Sequence, residues 1–316
     1  MLPSVLQRST IDHVPVLADE VRRLSAVRPG ETVVDATFGA GGHAGLLAED
    51  LRGQGRVIAV DRDPDVRPYF EDFKRRHGSL QARLLRGEFS LVLEQLAAND
   101  VEADVVLIDL GVSSMQLDRP ERGFSYAHDA PLDMRMDPSA EVSAREIVNE
   151  WDERDLAQIF RRYGEERYAR QIARAIVARR PLETTAELVD VIRSAIPAPA
   201  RFGEGHPAKR VFQALRIAVN DELGALERAL PAALEMLRPG GRLAVISFHS
   251  LEDRIVKNFL RDAERGCTCP PDFPVCVCGN EPVMRALSRK PIRPTAEEVA
   301  RNPRSASARL RVGAKI

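Results

Sequence analysis

The chain has almost no net charge: 46 Lys and Arg stand against 47 Asp and Glu, a formal charge of −1. The molecule as a whole therefore makes no electrostatic claim on nucleic acid. No apolar run approaches the ~20 residues that a membrane helix needs. The opening "MLPSVLQRSTIDHVPVL" lacks the basic start and apolar core of a secretory signal. A cytoplasmic protein with no membrane partner is expected. Cysteine is scarce, four in 316 residues, and all four fall in one short stretch at Cys267, Cys269, Cys276 and Cys278. In a reducing compartment this pattern suggests reduced thiols or a metal knuckle rather than a disulfide framework. There is no internal repeat or low-complexity tract, which excludes solenoid architectures.

What is present is ordinary globular composition, 44% hydrophobic and 29% charged. The length suits one large domain with an insertion, or two domains. Charge is concentrated locally. Arg161 to Arg216 holds 12 Lys and Arg against 6 Asp and Glu, and Arg285 to Ile316 holds 9 against 2. Such clusters fit a solvated face as well as a phosphate-binding one.

Four β-type runs alternate with helical segments in the first third. They are "TVVDATF", "RVIAVDRD", "QARLLRGEF" and the continuously apolar "ADVVLIDLGVSS", which suits a strand buried on both faces. The alternation predicts a parallel, doubly wound α/β sheet. From about Met115 to Pro207 no strand-like run appears, and "SAREIVNEWDERDLAQIFRRYG", "EERYARQIARAIVARR" and "TAELVDVIRSAI" have helical spacing. The reading is an inserted helical domain. One long helix is expected over "AKRVFQALRIAVNDELGALERALPAALEML". It is followed by a fifth strand in "RLAVISF", a helix in "SLEDRIVKNFLRDAE", and a closing pair of strands in "VMRALS" and "SARLRVG". Between that pair "RKPIRPTAEEVARNPRSAS" reads as loop-rich.

The stretch "DATFGAGGHAG", Asp35 to Gly45, is a glycine-rich turn between a strand and a helix. Gly39, Gly41 and Ala44 fit the G-x-G-x-x-A dinucleotide fingerprint, with Asp61 placed as a ribose-binding acid. Two ligands stay open, NAD(P) and S-adenosylmethionine. Asp61 by itself also fits a helix cap before "DRDP". S-adenosylmethionine has no phosphate; it carries an ammonium, a sulfonium and a carboxylate. Asp35 and Asp109, both at the expected carboxyl edge of the sheet, suit a cation better than a pyrophosphate. Phe89 fits either an adenine neighbour or a core aromatic.

"DLGVSSMQLDRPERGFSYAHDAPLDMRMD" is the most specific segment, a dense polar run directly after a buried strand. Together with "HVPVL", "DATFGAGGH", "DRDP", "YGEERYARQIARAI", "HPAKRVFQALRIAVNDEL", "PGGRLAVISFHSLEDRIVK" and "NPRSASARLR", in this order along His13 to Arg311, it resembles the bacterial small-subunit ribosomal RNA cytosine-N4 methyltransferases, the RsmH (MraW) family. The resemblance implies a class I, Rossmann-like S-adenosylmethionine-dependent methyltransferase with an inserted helical substrate-recognition domain. The expected division is 1–114 plus 208–316 for the methyltransferase and 115–207 for the insertion. The implied partner is 16S rRNA within the small ribosomal subunit, methylated at N4 of a cytidine in the decoding region. The implied cofactor residues are Gly41, Gly42, His43, Asp61, Phe89, Asp109 and Gln116. Ala36 departs from the glycine common in the family, inside a strand where it should matter little.

For catalysis, an exocyclic amine needs acceptors that orient its N–H bonds and take a proton. The Asp/Asn-Pro-Pro-aromatic motif of many amino-methyltransferases is absent; "DLGVSS" stands in its place. Asp109 is the leading acceptor, followed by Ser113, Asn220 and His249. The structural alternatives are a helix-surface amide for Asn220 and a strand-end structural histidine for His249. No Pro-Cys pair is present, which argues against cytosine C5 chemistry. The C-x-C-x6-C-x-C spacing is unusual for a zinc knuckle, so metal and plain thiols both stay open, and the proposed chemistry requires no metal. The rival functions are an NAD(P) oxidoreductase and a ribosome-assembly factor that keeps S-adenosylmethionine as a structural ligand. The oligomeric state is open, a homodimer included.

Overall fold

In a computed structural model, described over residues 15–201, 206–267, 269, 273, 275 and 277–316, the early β-type runs become strands. Cys276 and the first 14 residues lie outside the described residues. β1 (Thr32–Asp35), β2 (Arg56–Asp61), β3 (Gln81–Arg86) and β4 (Ala103–Asp109) are followed by β5 (Leu237–Ser247), β6 (Met284–Ala286) and β7 (Arg309–Lys315). Among the described residues they form one seven-stranded sheet in the order β3-β2-β1-β4-β5-β7-β6. β1 to β5 pair in parallel, while β7 runs antiparallel to both β5 and β6. The chain starts at β1, winds outward to β3, then returns to β4 on the other side. The gap between the carboxyl ends of β1 and β4 is the topological switch point, where open α/β sheets bind ligands.

The strands alternate with period two between two apolar layers. Val33, Val57, Leu107, Ala244 and Val312 face a cluster shared with α1 (Ala18–Ser25), α2 (Gly42–Asp50) and α3 (Arg67–Arg76). Val34, Ile58, Val106, Ile108 and Val245 face a second cluster, which takes in α4 (Phe89–Ala98). β1 and most of β4 are buried on both faces, as their unbroken apolar runs require.

After β4 the chain leaves the sheet. The short α5 (Ser114–Leu117) is followed by α6 (Ala144–Glu150), α7 (Glu153–Arg162), α8 (Ala169–Arg179), α9 (Thr185–Ala195) and the four-residue α10 (Ala198–Arg201). The expected single run through "SAREIVNEWDERDLAQIFRRYG" is two helices, parted at Trp151 and Asp152, whose backbones are extended. α6 and α9 both start at capping boxes, Ser143 with Glu146 and Thr184 with Glu187. The apolar faces of α6 to α9 meet in a third cluster around Phe160, Ile172, Leu188 and Leu215.

The long helix expected after Pro207 is also two. α11 (Lys209–Asn220) packs into the helical cluster and α12 (Glu222–Met236) into the sheet layer, with Asp221 between them at φ 48°. The apolar periodicity continues through the bend, so the sequence pattern does not reveal it. Two ion pairs span it: Arg216 holds Glu222 through two bonds of 2.7 and 2.8 Å, and Arg228 holds Asp221 at 2.9 Å. α13 (Ser250–Arg265) returns along the sheet, and α14 (Ala296–Arg301) forms inside the segment expected to be loop-rich. No helix among the described residues is long and apolar enough to cross a membrane.

Phe160 is completely buried in the helical cluster. Phe160→Ala should destabilise the protein by about 3–5 kcal/mol through lost transfer energy and a residual cavity, read as a lower urea midpoint.

Candidate active site

Three strand ends place acids around the glycine turn. Asp35 ends β1, Asp61 ends β2 and Asp109 ends β4. The turn that follows β1 closes back on them. Gly41 sits at φ 77°, and a Cβ there would lie 2.6 Å from the Phe38 ring, so only glycine fits. Gly42 and His43 open α2 directly behind it. Asp61 stabilises the turn from the side: its Oδ2 accepts from the Gly39 N–H at 2.8 Å and its Oδ1 from the Asp63 N–H at 2.9 Å. The Thr37 Oγ1 accepts from the Asp109 N–H at 2.7 Å and ties β4 to the same turn. Asp61 is therefore not a helix cap; that place is taken by Asp63, which accepts from the Asp65 N–H.

The electrostatics of this pocket are unfavourable to the isolated acids. Burial pushes Asp35 up to about 7, and the Asp61 charge adds to it. Asp109 is pushed up to about 8 by burial, then by Asp35 and Glu252. Although 27% of the Asp109 side chain is exposed, its surroundings of apolar strand and like charge disfavour the carboxylate. Asp61 is also raised, by burial above all, against the pull of its two backbone donors. The Oδ1 of Asp109 is buried and has no hydrogen-bond partner among the described residues. The buried His43 places Nε2 3.6 Å from Asp109 Oδ2.

A second group closes the pocket from β5. His249 caps α13, with Nδ1 accepting from the Glu252 N–H at 3.4 Å and Nε2 lying 3.1 Å from Glu252 Oε1. Burial would raise Glu252, but the bond and charge of His249, then Arg216 and the Phe248 N–H, hold it below the usual carboxylate range. Ser113 follows β4 and exchanges bonds with Gln116: its N–H donates to Gln116 Oε1 at 3.0 Å, and its Oγ accepts from the Gln116 N–H at 3.4 Å. Gln116 Nε2 donates to Asp63 Oδ2 at 2.9 Å.

Two of the expected residues sit differently. Asn220 is neither a surface amide nor open to a substrate. It is buried, and its amide is fully engaged, accepting from the Met136 N–H and donating to the Met134 and Arg216 carbonyls, all at 2.8–2.9 Å. Phe89 is 8% exposed and packs in the apolar cluster of α4 and α12.

Asp63 and Arg122 escaped the sequence reading. Asp63 is 1% exposed and receives Gln116 as well as Arg122, whose Nη1 lies 3.1 Å away. Arg122 also donates to the Arg135 and Met136 carbonyls, so one guanidinium links the β2 edge to the polar segment after β4. The spacing "DRDPD" was the available signal. The cap pair His249 and Glu252 was legible as a capping pattern three residues apart.

The site fits S-adenosylmethionine. The acids, with a buried oxygen on Asp109 that has no hydrogen-bond partner among the described residues, favour a cationic ligand. A sheet of this order, parallel from β1 to β5 with an antiparallel β7, and acids gathered at its switch point fit a Rossmann-like, S-adenosylmethionine-dependent methyltransferase. The chain belongs to the MraW methylase family, whose model matches residues 10–316. The protein named ribosomal RNA small subunit methyltransferase H of Heliobacterium modesticaldum is 54% identical over 312 residues, covering 96% of this chain and 98% of that one. The protein of the same name from Symbiobacterium thermophilum is 52% identical over 308 residues, covering 96% of each. A solved structure described as a putative rRNA-methylase from Clostridium thermocellum covers 95% of each chain at 14% identity, with a TM-score of 0.42.

The raised acids give a pH dependence. Folded, Asp35 and Asp109 titrate near 7 and 8; unfolded, they return to the ordinary carboxylate range. From about pH 4 to about pH 8 the folded chain holds more protons, so stability of the cofactor-free protein falls across that window and levels off above it. A cationic ligand acts in reverse and stabilises the carboxylates. S-adenosylmethionine affinity measured by calorimetry should rise from about pH 6 to about pH 8.5, with proton release on binding, and level off above. Asp109→Asn should weaken binding and flatten that profile.

Proposed function

We propose that this chain transfers the methyl group of S-adenosylmethionine to the exocyclic N4 amine of a cytidine in the decoding region of 16S rRNA, within the small ribosomal subunit. Membership of the MraW methylase family and the names of relatives more than 50% identical support an rRNA substrate. The observation that carries the chemistry is Asp109 Oδ1, a buried acceptor at the switch point of the sheet with no hydrogen-bond partner among the described residues.

Bound S-adenosylmethionine supplies an electrophilic methyl group on a sulfonium. The protein's residues do the rest. Gly41, Gly42 and His43 form the turn against which the cofactor lies. Asp61 still has a lone pair on each oxygen after its two backbone bonds, enough to accept from ribose hydroxyls. Phe89, packed in the apolar cluster, is left without a cofactor role, and Gln116 is held beside the site through Asp63. The cytosine amine is a poor nucleophile because its lone pair is delocalised into the ring. Asp109 orients its N–H bonds and accepts the proton as the N–C bond forms, a contribution of about 10²–10⁴ in rate. Ser113 and His249 flank that position as secondary polar groups. Asn220 acts one step back, holding the backbone of Met134 and Met136 against α11.

The helical insertion, 115–207, is the proposed substrate-recognition unit. Arg161, Arg167 and Arg170 are exposed on it and are available to phosphates. Cytosine C5 chemistry is disfavoured by the position of the thiols: Cys267 follows α13, a helix of 16 residues whose other end carries His249. That helix length separates the two by roughly 24 Å.

The test is transfer of a labelled methyl group to assembled small subunits lacking the modification, to naked 16S rRNA and to large subunits, with the product nucleoside identified by mass. N4-methylcytidine on small subunits alone is expected. Retained cofactor binding with no labelled RNA would leave the assembly-factor reading in its place. Asp109→Asn should lower kcat by about 10²-fold or more. Asn220→Ala should destabilise the protein by about 1–3 kcal/mol, from the stranded Met136 N–H and Met134 carbonyl, and should reduce kcat less than Asp109→Asn does.

A further inference from the structure

The cysteine-bearing loop after α13 lies outside the chemistry described above, and its geometry points to a structural zinc site built on Cys267, Cys269 and Cys278. The sulfurs of these three residues all lie within 4.8 Å of one another. The Sγ atoms of Cys267 and Cys278 are 3.8 Å apart. A disulfide needs about 2.05 Å. Two thiolates on one tetrahedral zinc, with Zn–S bonds of about 2.3 Å, lie about 3.8 Å apart. The observed separation, that of a thiol–thiol hydrogen bond, equals the edge length of a zinc–thiolate tetrahedron. The Val277 N–H donates to Cys269 Sγ at 3.4 Å, the kind of backbone bond that orients a metal-bound sulfur.

Hydrophobic packing does not account for the convergence. The described apolar residues between the thiols point outward: Phe273 is 52% exposed, Val275 69% and Val277 72%. Among the described residues of this loop, no apolar core gathers the three sulfurs. Soft thiolate donors select zinc among the common structural ions. Each thiol would release its proton to solvent on binding and ligate as a thiolate, with no change of oxidation state.

The position gives the site a purpose. Cys267 follows directly on the last turn of α13, and the Arg265 Nη2 donates to the Cys269 carbonyl at 3.3 Å. On the other side, the Val283 N–H donates to the Ala263 carbonyl at 2.9 Å, just before β6. A metal here would brace the end of α13 against the start of the β6–β7 pair. The basic segment from Arg285 onward begins at that brace.

The experiment is metal analysis of the full-length protein purified under reducing conditions without chelator. About one zinc per chain is expected, released by a thiol-modifying mercurial and falling more than tenfold in Cys267→Ser and Cys278→Ser. Cobalt substituted for zinc should give a thiolate-to-metal charge-transfer band that both variants lack. Wild-type protein stripped by a strong zinc chelator should become more susceptible to proteolysis between residues 266 and 283 and recover on zinc addition. This arm needs no variant and no enzymatic activity. Less than a tenth of a zinc per chain, together with thiol reactivity and proteolysis that added zinc leaves unchanged, would overturn the proposal. So would a mass about 2 Da lower than the reduced chain, the signature of a disulfide.

Discussion

The structure turns on the cost of gathering carboxylates at one edge of a buried parallel sheet. Asp35, Asp61 and Asp109 end neighbouring or next-neighbouring strands, so the sheet itself forces them together. Burial raises all three; the Asp61 charge adds to Asp35, and the Asp35 charge adds to Asp109. The fold offsets part of this for Asp61 with two backbone donors, and for Asp35 with the Thr37 N–H. For Asp109 Oδ1 it provides nothing among the described residues. An acid left in that condition is a site waiting for a cation or for an N–H donor, and perturbed acids of this kind concentrate where chemistry occurs.

The remaining architecture keeps that edge in shape. The segment after β4 is anchored to the β2 edge by Gln116 and Arg122, both on Asp63, and to the α11–α12 bend by Asn220. The Arg62 Nη1 completes the link by donating to the Asn220 carbonyl at 3.1 Å. The helical cluster and the sheet therefore meet through a continuous polar network beside the pocket. Such networks fix relative positions more tightly than apolar contact does, because a displaced partner strands a buried polar group. The carboxyl-terminal strands contribute at the other side: Arg311 on β7 pairs with Asp253 in the first turn of α13 at 2.7 Å, both largely buried. Breaking such a pair leaves an uncompensated buried charge.

What the sequence determined by itself follows from local rules. The unbroken apolar runs marked β1 and β4 as doubly buried, and the alternation of strand-like and helical segments implied the parallel winding of β1 to β5. The closing β6–β7 pair was also legible from its short apolar runs. Strand ends and the glycine turn named Asp35, Asp61 and Asp109, since the carboxyl edge is where that topology exposes polar side chains. Tertiary structure decided what no local pattern encodes. The bend at Asp221 interrupts a periodicity that continues unbroken on both sides, and ion pairs from Arg216 and Arg228 span it. Asn220 reads as an exposed amide until the Met134–Met136 segment folds over it. The cap expected at Asp61 falls on Asp63, and Gln116 and Arg122 reach that residue from more than fifty residues away. The cysteine spacing alone favoured plain thiols over a metal, and only the folded loop brings three sulfurs within 4.8 Å of one another. Periodicity and capping act within a few residues and are written in sequence; ion pairs, buried amides and converging thiols depend on distances that exist only once the chain has closed on itself.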